Sequence, residues 1–367
     1  MKPRRKIPFA VPYITKEDVK AVAETIRRTQ LSQGPKVEEF ERAFAKYLGV
    51  KYAVAVFNCT VALHVALAAL GIGQGDEIIV PPFTFIATAN AVVYQNAKPV
   101  FADIDSKTYN IDSNQVKKAI TSKTKAIIPV HYGGHPAEMD EIMEIAEKHD
   151  LTVIEDAAEA HGAEYKGKKA GNLAHIACFS FYPNKSMTTG EGGMIVTNDA
   201  KIAETMKLLR SHGQDYRYHH VLLGYNYRMT ELQAALGVVQ LKRLDKIVNC
   251  KQKLARYYTE QLSETAGLEP PYVSPHVKHG YFLYTIRVKK RDQVQTQLEK
   301  SGIETRACFP SIHLQPIYRQ LYGYKGGEYP VSEKASDTVL SIPIHYSVST
   351  DDQEYIVKHL KEALRTV

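Results

Sequence analysis

The sequence predicts an α/β protein: a mainly parallel sheet covered by helices on both faces forms a large domain over residues 1–245, and a smaller α+β domain follows over residues 246–367. Two observations predict this. Through the first two-thirds of the chain, short apolar or β-branched runs alternate with segments of helical periodicity, and unbroken apolar runs of that length belong to strands buried on both faces. After Cys250 the order becomes less regular, as a separate unit would be.

Thr15 with Asp18 opens the first helix in the manner of a capping box. A second helix follows Pro35, with Val37, Phe40, Phe44, Tyr47 and Leu48 on one face and Gly49 as its stop. Tyr52 to Val56 reads as the first strand, and a third helix runs from Thr60 through Leu63 and Leu67 to Leu70. Further strands are expected at Glu77 to Val80, Pro99 to Ala102, Ala126 to Val130, Thr152 to Ile154, Ile176 to Phe181 and Met194 to Thr197. Glu231 to Cys250 is amphipathic throughout and predicts one long helix leading into the small domain. There PPYVSPHVKHG reads as a loop, YFLYTIRV as a strand and DQVQTQLEKSGI as a helix.

Composition narrows the function. The 367 residues are 44% hydrophobic and 24% charged, enough to bury a substantial core, and no run approaches the roughly 20 apolar residues of a bilayer-spanning helix. The basic start lacks an apolar stretch behind it, so a cytoplasmic protein without a membrane partner is expected. Cys59, Cys178, Cys250 and Cys308 are scattered, which suggests separate thiols rather than a disulfide framework or a metal site. A net charge of +7 suits a small anionic substrate, and no nucleic-acid-binding module accompanies it. Gly71, Gly73 and Gly75 follow a helix and precede a strand, the wrong order for a dinucleotide site.

The densest chemical signal lies between Val153 and Met194. One strand there ends in Glu155-Asp156 and a later one leads to YPNKSMTTGEGG, so a carboxylate and the amine of Lys185 both sit just beyond strand ends, where ligands of such sheets bind. A pyridoxal cofactor needs a lysine to hold its aldehyde and a carboxylate to keep its ring nitrogen protonated. Lys185 and Asp156 are the candidates. The turn Phe57-Asn58-Cys59-Thr60 precedes a helix, so its N–H groups and the Thr60 hydroxyl could meet a phosphate, with Ser180 as a second hydroxyl. An ordinary helix cap and a buried serine are the plainer alternatives. Phe83 and Phe85 follow a strand, and one of these rings could stack on a flat cofactor or serve the core.

NxT at 58 to 60, TFIATANA at 84 to 91, EDAAEAHGA at 155 to 163, FSFYPNKSMTTGEGG at 179 to 193, GYNYRMTELQAALG at 224 to 237 and HLQPIY at 313 to 318 together resemble the nucleotide-sugar aminotransferases, across nearly the whole chain. The resemblance implies fold type I of the pyridoxal-phosphate enzymes, L-glutamate as amino donor, a nucleotide-linked keto sugar as acceptor, and a homodimer or higher assembly with a shared site. It implies that Lys185 holds pyridoxal 5′-phosphate as a Schiff base, that Asp156 pairs with the ring nitrogen, that Thr60 and Ser180 hold the phosphate, and that Asn226 reaches the phosphate of the neighbouring subunit. His212, Arg228 and His313 fall in segments where family members approach the nucleotide sugar, although structural roles would also suit them.

Two positions depart from the family pattern. Cys59 stands where glycine is usual and would narrow the phosphate approach. Glu159 stands where many relatives carry glutamine near the ring oxygen, and this glutamate is similar to that of the GDP-perosamine synthases, which implies a GDP-linked 4-keto-6-deoxymannose as acceptor; UDP- or dTDP-linked sugars aminated at C4 or C3 are the alternative. Sugar 3-dehydratases of the same fold carry histidine in place of the lysine, and a non-catalytic regulator would not need the full set.

Overall fold

The computed structural model describes residues 5–367. Its central sheet uses seven strands, β1 (Tyr52–Val56), β2 (Glu77–Val80), β3 (Lys98–Phe101), β4 (Thr124–Ile127), β5 (Thr152–Asp156), β6 (Ile176–Ser180) and β7 (Gly193–Thr197), in the order β1-β7-β6-β5-β4-β2-β3. The neighbours from β6 to β3 are parallel, while β7 runs against both β1 and β6. Every expected strand is present, with ends shifted by a few residues.

Side-chain alternation splits this sheet between two cores. Val54, Val56, Ile176, Cys178 and Ile195 pack on one face with the Cys59–Ala69 helix. Ala53, Ala55, Ala177, Phe179, Met194 and Val196 pack on the other with the Pro35–Leu48 helix, whose Val37, Phe40, Phe44 and Leu48 are buried as their spacing predicts. Gly49 ends that helix in the left-handed region, at φ 77°. Thr15 and Asp18 form the expected box, the Asp18 carboxylate accepting from the Thr15 N–H at 2.7 Å.

The stretch after Glu231 differs from expectation. It forms two helices, Glu231–Leu241 and Leu244–Leu262, with Lys242 and Arg243 between them. No glycine or proline marks the break. Arg243 instead turns back onto the first helix, pairing with buried Asp18 and donating to Thr15 Oγ1 at 3.0 Å, contacts that a periodicity reading does not see. The second of these helices begins in the large core at Leu244 and Val248 and ends in the small-domain core at Leu254, Ala255, Tyr258 and Leu262. A boundary at 245/246 thus falls in its first turn.

The small domain is built on a three-stranded antiparallel sheet with Tyr284–Val288 between Leu268–Glu269 and Val339–Ile342. The Arg291–Lys300 and Thr350–Thr366 helices cover it. Ile7, near the other end of the chain, pairs with Ile303 and is buried in this same core.

Candidate active site

The carboxyl ends of β5 and β6 and the amino end of the Cys59–Ala69 helix open onto one cleft of about 480 Å³, roofed from the small-domain side by Phe282, Leu283, Cys308 and Phe309. Lys185, Asp156, Glu159, Thr60, Cys59, Ser180 and Phe85 all line it.

Asp156 is the last residue of β5 and is 5% exposed. Its Oδ2 accepts from Thr88 Oγ1 at 2.8 Å and its Oδ1 from the Ala158 N–H at 3.2 Å. Burial raises its acidity range above the usual carboxylate value, and those two donors with nearby Lys185 pull it back. A buried acid held this way has a defined direction but an unsatisfied charge, which a protonated ring nitrogen in the cleft would satisfy.

Lys185 follows β6 through a turn whose N–H, at Lys185 itself, donates to Tyr182 O at 2.9 Å. Its ammonium lies 3.4 Å from Glu159 Oε1 and 3.9 Å from the centre of the Phe282 ring. Glu159 is anchored on its other oxygen by the Gly133 N–H at 2.8 Å. Burial raises the Glu159 carboxyl, and the Lys185 charge opposes the rise.

The end of the cleft that the sequence marks for a phosphate rests on close backbone approach. Asn58 caps the Cys59–Ala69 helix by accepting from the Val61 N–H at 3.0 Å, which leaves the N–H groups of Cys59 and Thr60 without intrahelical partners. Gly193 explains the last glycine of TTGEGG, since a Cβ there would meet the Asn58 backbone at 2.5 Å. Cys59 packs its side chain into the core with Leu63 and Val65. The aromatic pair divides: Phe83 is wholly buried, while Phe85 is 59% exposed and stands 6.2 Å from Phe309.

Other candidates lie apart from the cleft of their own chain. His313 is wholly buried, donates from Nε2 to Glu333 Oε1 over 3.1 Å, and packs among Phe101, Tyr324 and Tyr329. This corrects the expected substrate contact: HLQPIY places its histidine in an aromatic cluster beneath the surface. His212 is exposed with a φ of 59°, and the glycine after it is required because a Cβ at Gly213 would meet Leu222 O at 1.8 Å. Arg228 donates to Ser211 Oγ at 3.2 Å, and Asn226, also exposed, bridges to Ser211 through its backbone.

Sequence reasoning missed Thr88, which aims Asp156, and Phe282, which faces Lys185. Thr88 had a signal, since it stands one helical turn after Thr84 in a motif already noted, and the two hydroxyls are 3.0 Å apart. Phe282 lies on the small-domain side of the cleft, almost one hundred residues from Lys185 in sequence, and had none.

The donor set fits pyridoxal phosphate: an amine, a buried acid, an exposed aromatic face, and hydroxyls with free N–H groups at a helix start. Comparison with known proteins agrees. The profile of the DegT/DnrJ/EryC1/StrS aminotransferase family matches residues 12–361, and the chain belongs to that family. It is accordingly a pyridoxal-phosphate-dependent sugar aminotransferase. The chain is 42% identical to the GDP-perosamine synthase of Caulobacter vibrioides over 98% of each chain. It is 40% identical to the UDP-2-acetamido-2-deoxy-3-oxo-D-glucuronate aminotransferase of Pseudomonas aeruginosa, over 90% of this chain and 91% of that one. The Streptococcus pneumoniae protein Spr1654, solved in a PLP form, superposes with a TM-score of 0.94 at 28% identity, covering 99% of each chain.

Proposed function

We propose that the enzyme moves the amino group of L-glutamate to the 4-keto carbon of a nucleotide-linked 4-keto-6-deoxyhexose, GDP-4-keto-6-deoxymannose giving GDP-perosamine, with Lys185 and Asp156 as the chemical pair. The observation that carries the pair is the presence in one cleft of a lysine amine and a buried, hydrogen-bonded carboxylate at adjacent strand ends. Pyridoxal phosphate, when bound, supplies an aromatic ring that accepts the electrons released at the substrate carbon.

The chain's own residues do the rest. Lys185 would hold the cofactor's aldehyde carbon, and its amine, when free, would carry the proton that leaves the donor carbon. Asp156, aimed by Thr88 and the Ala158 N–H, would pair with the ring nitrogen and keep its proton in place. Glu159 sits between Lys185 and the Gly133 N–H, so its raised acidity range lets it share a proton with a ring oxygen. The Cys59 and Thr60 N–H groups, with the Thr60 and Ser180 hydroxyls, would hold the phosphate, and Phe85 would offer its face to the ring.

Asn226 is exposed on its own chain, which supports its reaching the phosphate of a second copy; we infer a homodimer or higher assembly, working in the cytoplasm. His212 and Arg228, on the same side of the chain, are proposed contacts to the nucleotide sugar across that boundary. Identity to the GDP-perosamine synthase, together with the resemblance noted at Glu159, supports the GDP sugar. The Pseudomonas relative supports a second reading, a UDP-linked sugar aminated at C3. Incubation with L-glutamate and GDP-, UDP- and dTDP-linked keto sugars separates them: amino sugar from the GDP substrate is expected, and product from a UDP sugar alone would reject the perosamine assignment.

A further inference from the structure

Lys251 is a lysine where the helical pattern calls for an apolar residue. Ile247 and Val248 precede it by one turn and Leu254 and Ala255 follow by one turn, all buried on the same face of the Leu244–Leu262 helix. Lys251 is itself 3% exposed and occupies the seam between the large-domain and small-domain cores. Its hydrogen-bond partner among the described residues is a neutral one, Ser186 Oγ at 3.5 Å, the side chain next to Lys185. Its Nζ lies 5.7 Å from the centre of the Phe282 ring, and the Lys185 Nζ lies 3.9 Å from the same ring. A buried amine without an ion-pair partner destabilises a fold, so a position that packing alone would give to leucine or methionine calls for a functional account.

We propose that Lys251 is a positioning residue for the transamination: a buried amine whose charge, felt by Lys185 beside the shared Phe282 ring, lowers the basicity of the Lys185 nitrogen. The inference rests on the assignment of Lys185 as the cofactor lysine.

The groups facing Lys251 leave its charge largely uncompensated. His161, in the loop after β5, is held neutral by burial, which takes it down to about 3. His279, from the segment that leads into the small-domain sheet, and His345, just beyond its last strand, are likewise pushed below the ordinary imidazole value by burial. Cys250 on the same helix is raised by burial and so stays a thiol. Glu159 is the acidic group that acts on Lys251, and it already faces Lys185. Burial first, and the Lys185 charge second, bring Lys251 itself down to about 7. Repulsion between two amines is mutual, so a proton on one disfavours a proton on the other. In the cofactor-loaded enzyme the Lys185 nitrogen would remain beside the shared Phe282 ring, where the charge of Lys251 would act on it. At an effective dielectric near 20, a unit charge several ångströms away shifts such a titration by about one pH unit.

The test is a pH titration of the visible absorption of the cofactor-loaded enzyme, which reports the proton on the Lys185 nitrogen. Lys251→Met is expected to raise the midpoint by about one pH unit. Lys251→Arg, which keeps the charge, is expected to leave it at or below the wild-type value. An unchanged midpoint in Lys251→Met, or a rise in Lys251→Arg equal to that in Lys251→Met, overturns the proposal. Should Lys251→Met fail to fold, Lys251→Gln, which can still bond Ser186, takes its place with the same expectation. Borohydride reduction with peptide mapping separates the two claims, because pyridoxyl label on another lysine refutes the Lys185 assignment, whereas label on Lys185 with an unchanged midpoint in Lys251→Met refutes the field of Lys251 alone. Thermal melts of the cofactor-free chain give an independent reading. The folded chain binds fewer protons at Lys251 than the unfolded chain between about pH 7 and the ordinary lysine value, so wild-type stability rises with pH across that window. Lys251→Met is expected to lose that rise, and equal slopes in the two chains would contradict the account.

Discussion

The floor of the cleft and the segment from His212 to Asn226 are built on opposite terms. On the floor, each functional group is fixed by a neighbour in the same chain: Thr88 and the Ala158 N–H on Asp156, the Gly133 N–H on Glu159, Glu159 and Phe282 on Lys185. The segment holds a short hairpin, Gln214–Tyr216 with His219–His220, in whose turn Tyr218 is 77% exposed, and Leu223 beyond it is 91% exposed. Its backbone is tied down, with the His212 N–H on Tyr225 O at 2.7 Å and the Gly213 N–H on Leu208 O at 2.8 Å, and Leu222 and Tyr225 pack on the core, yet most of its other side chains face outward. The groups proposed for bond breaking are therefore preset within one chain, while the surface proposed to complete the phosphate site of a second copy is presented outward.

That contrast can be broken from the floor upward. Lys185→Ala should lower kcat by about 10⁴-fold or more while leaving the melting temperature nearly unchanged, and a variant with substantial turnover would remove the floor's central group. Asp156→Asn keeps the shape and removes the charge; steady-state rates should fall by about 10²–10³-fold, and a loss below tenfold would show that the ring nitrogen does not depend on this acid. Thr88→Ala removes one donor from the Asp156 carboxylate. A loss of about 1–2 kcal/mol of transition-state stabilisation, read from kcat/KM, is expected, and wild-type kinetics would mean that Asp156 is aimed by the backbone alone.

The smallest effect belongs to the outward segment. Asn226→Ala should leave chain stability within about 0.5 kcal/mol, as exposed positions do, yet weaken cofactor binding several-fold in an equilibrium titration. Unchanged cofactor affinity would place Asn226 outside the phosphate site and remove the distinction between the two regions.

The two regions also differed in how far the sequence revealed them. Strand periodicity located the sheet, and with it Asp156 and Lys185, because apolar runs and strand-end chemistry are local in sequence. The pairing of Asp156 with Thr88 spans 68 positions, and the approach of Phe282 to Lys185 depends on the small domain folding over the cleft. No window of residues carries either. The helix break at Lys242-Arg243 escaped for the same reason, since it is anchored by Asp18 and Thr15 more than two hundred residues earlier. His313 shows the converse failure: a family motif suggested a ligand contact, whereas the side chain is enclosed by Phe101, Tyr324 and Tyr329.

The claim beneath all of this is that the Lys185 amine is the group covalently joined to the cofactor. Borohydride reduction of the yellow enzyme followed by peptide mapping tests it directly. The account predicts loss of the visible band with the pyridoxyl mass fixed on the peptide containing Lys185, and the same mass fixed on any other lysine would contradict it.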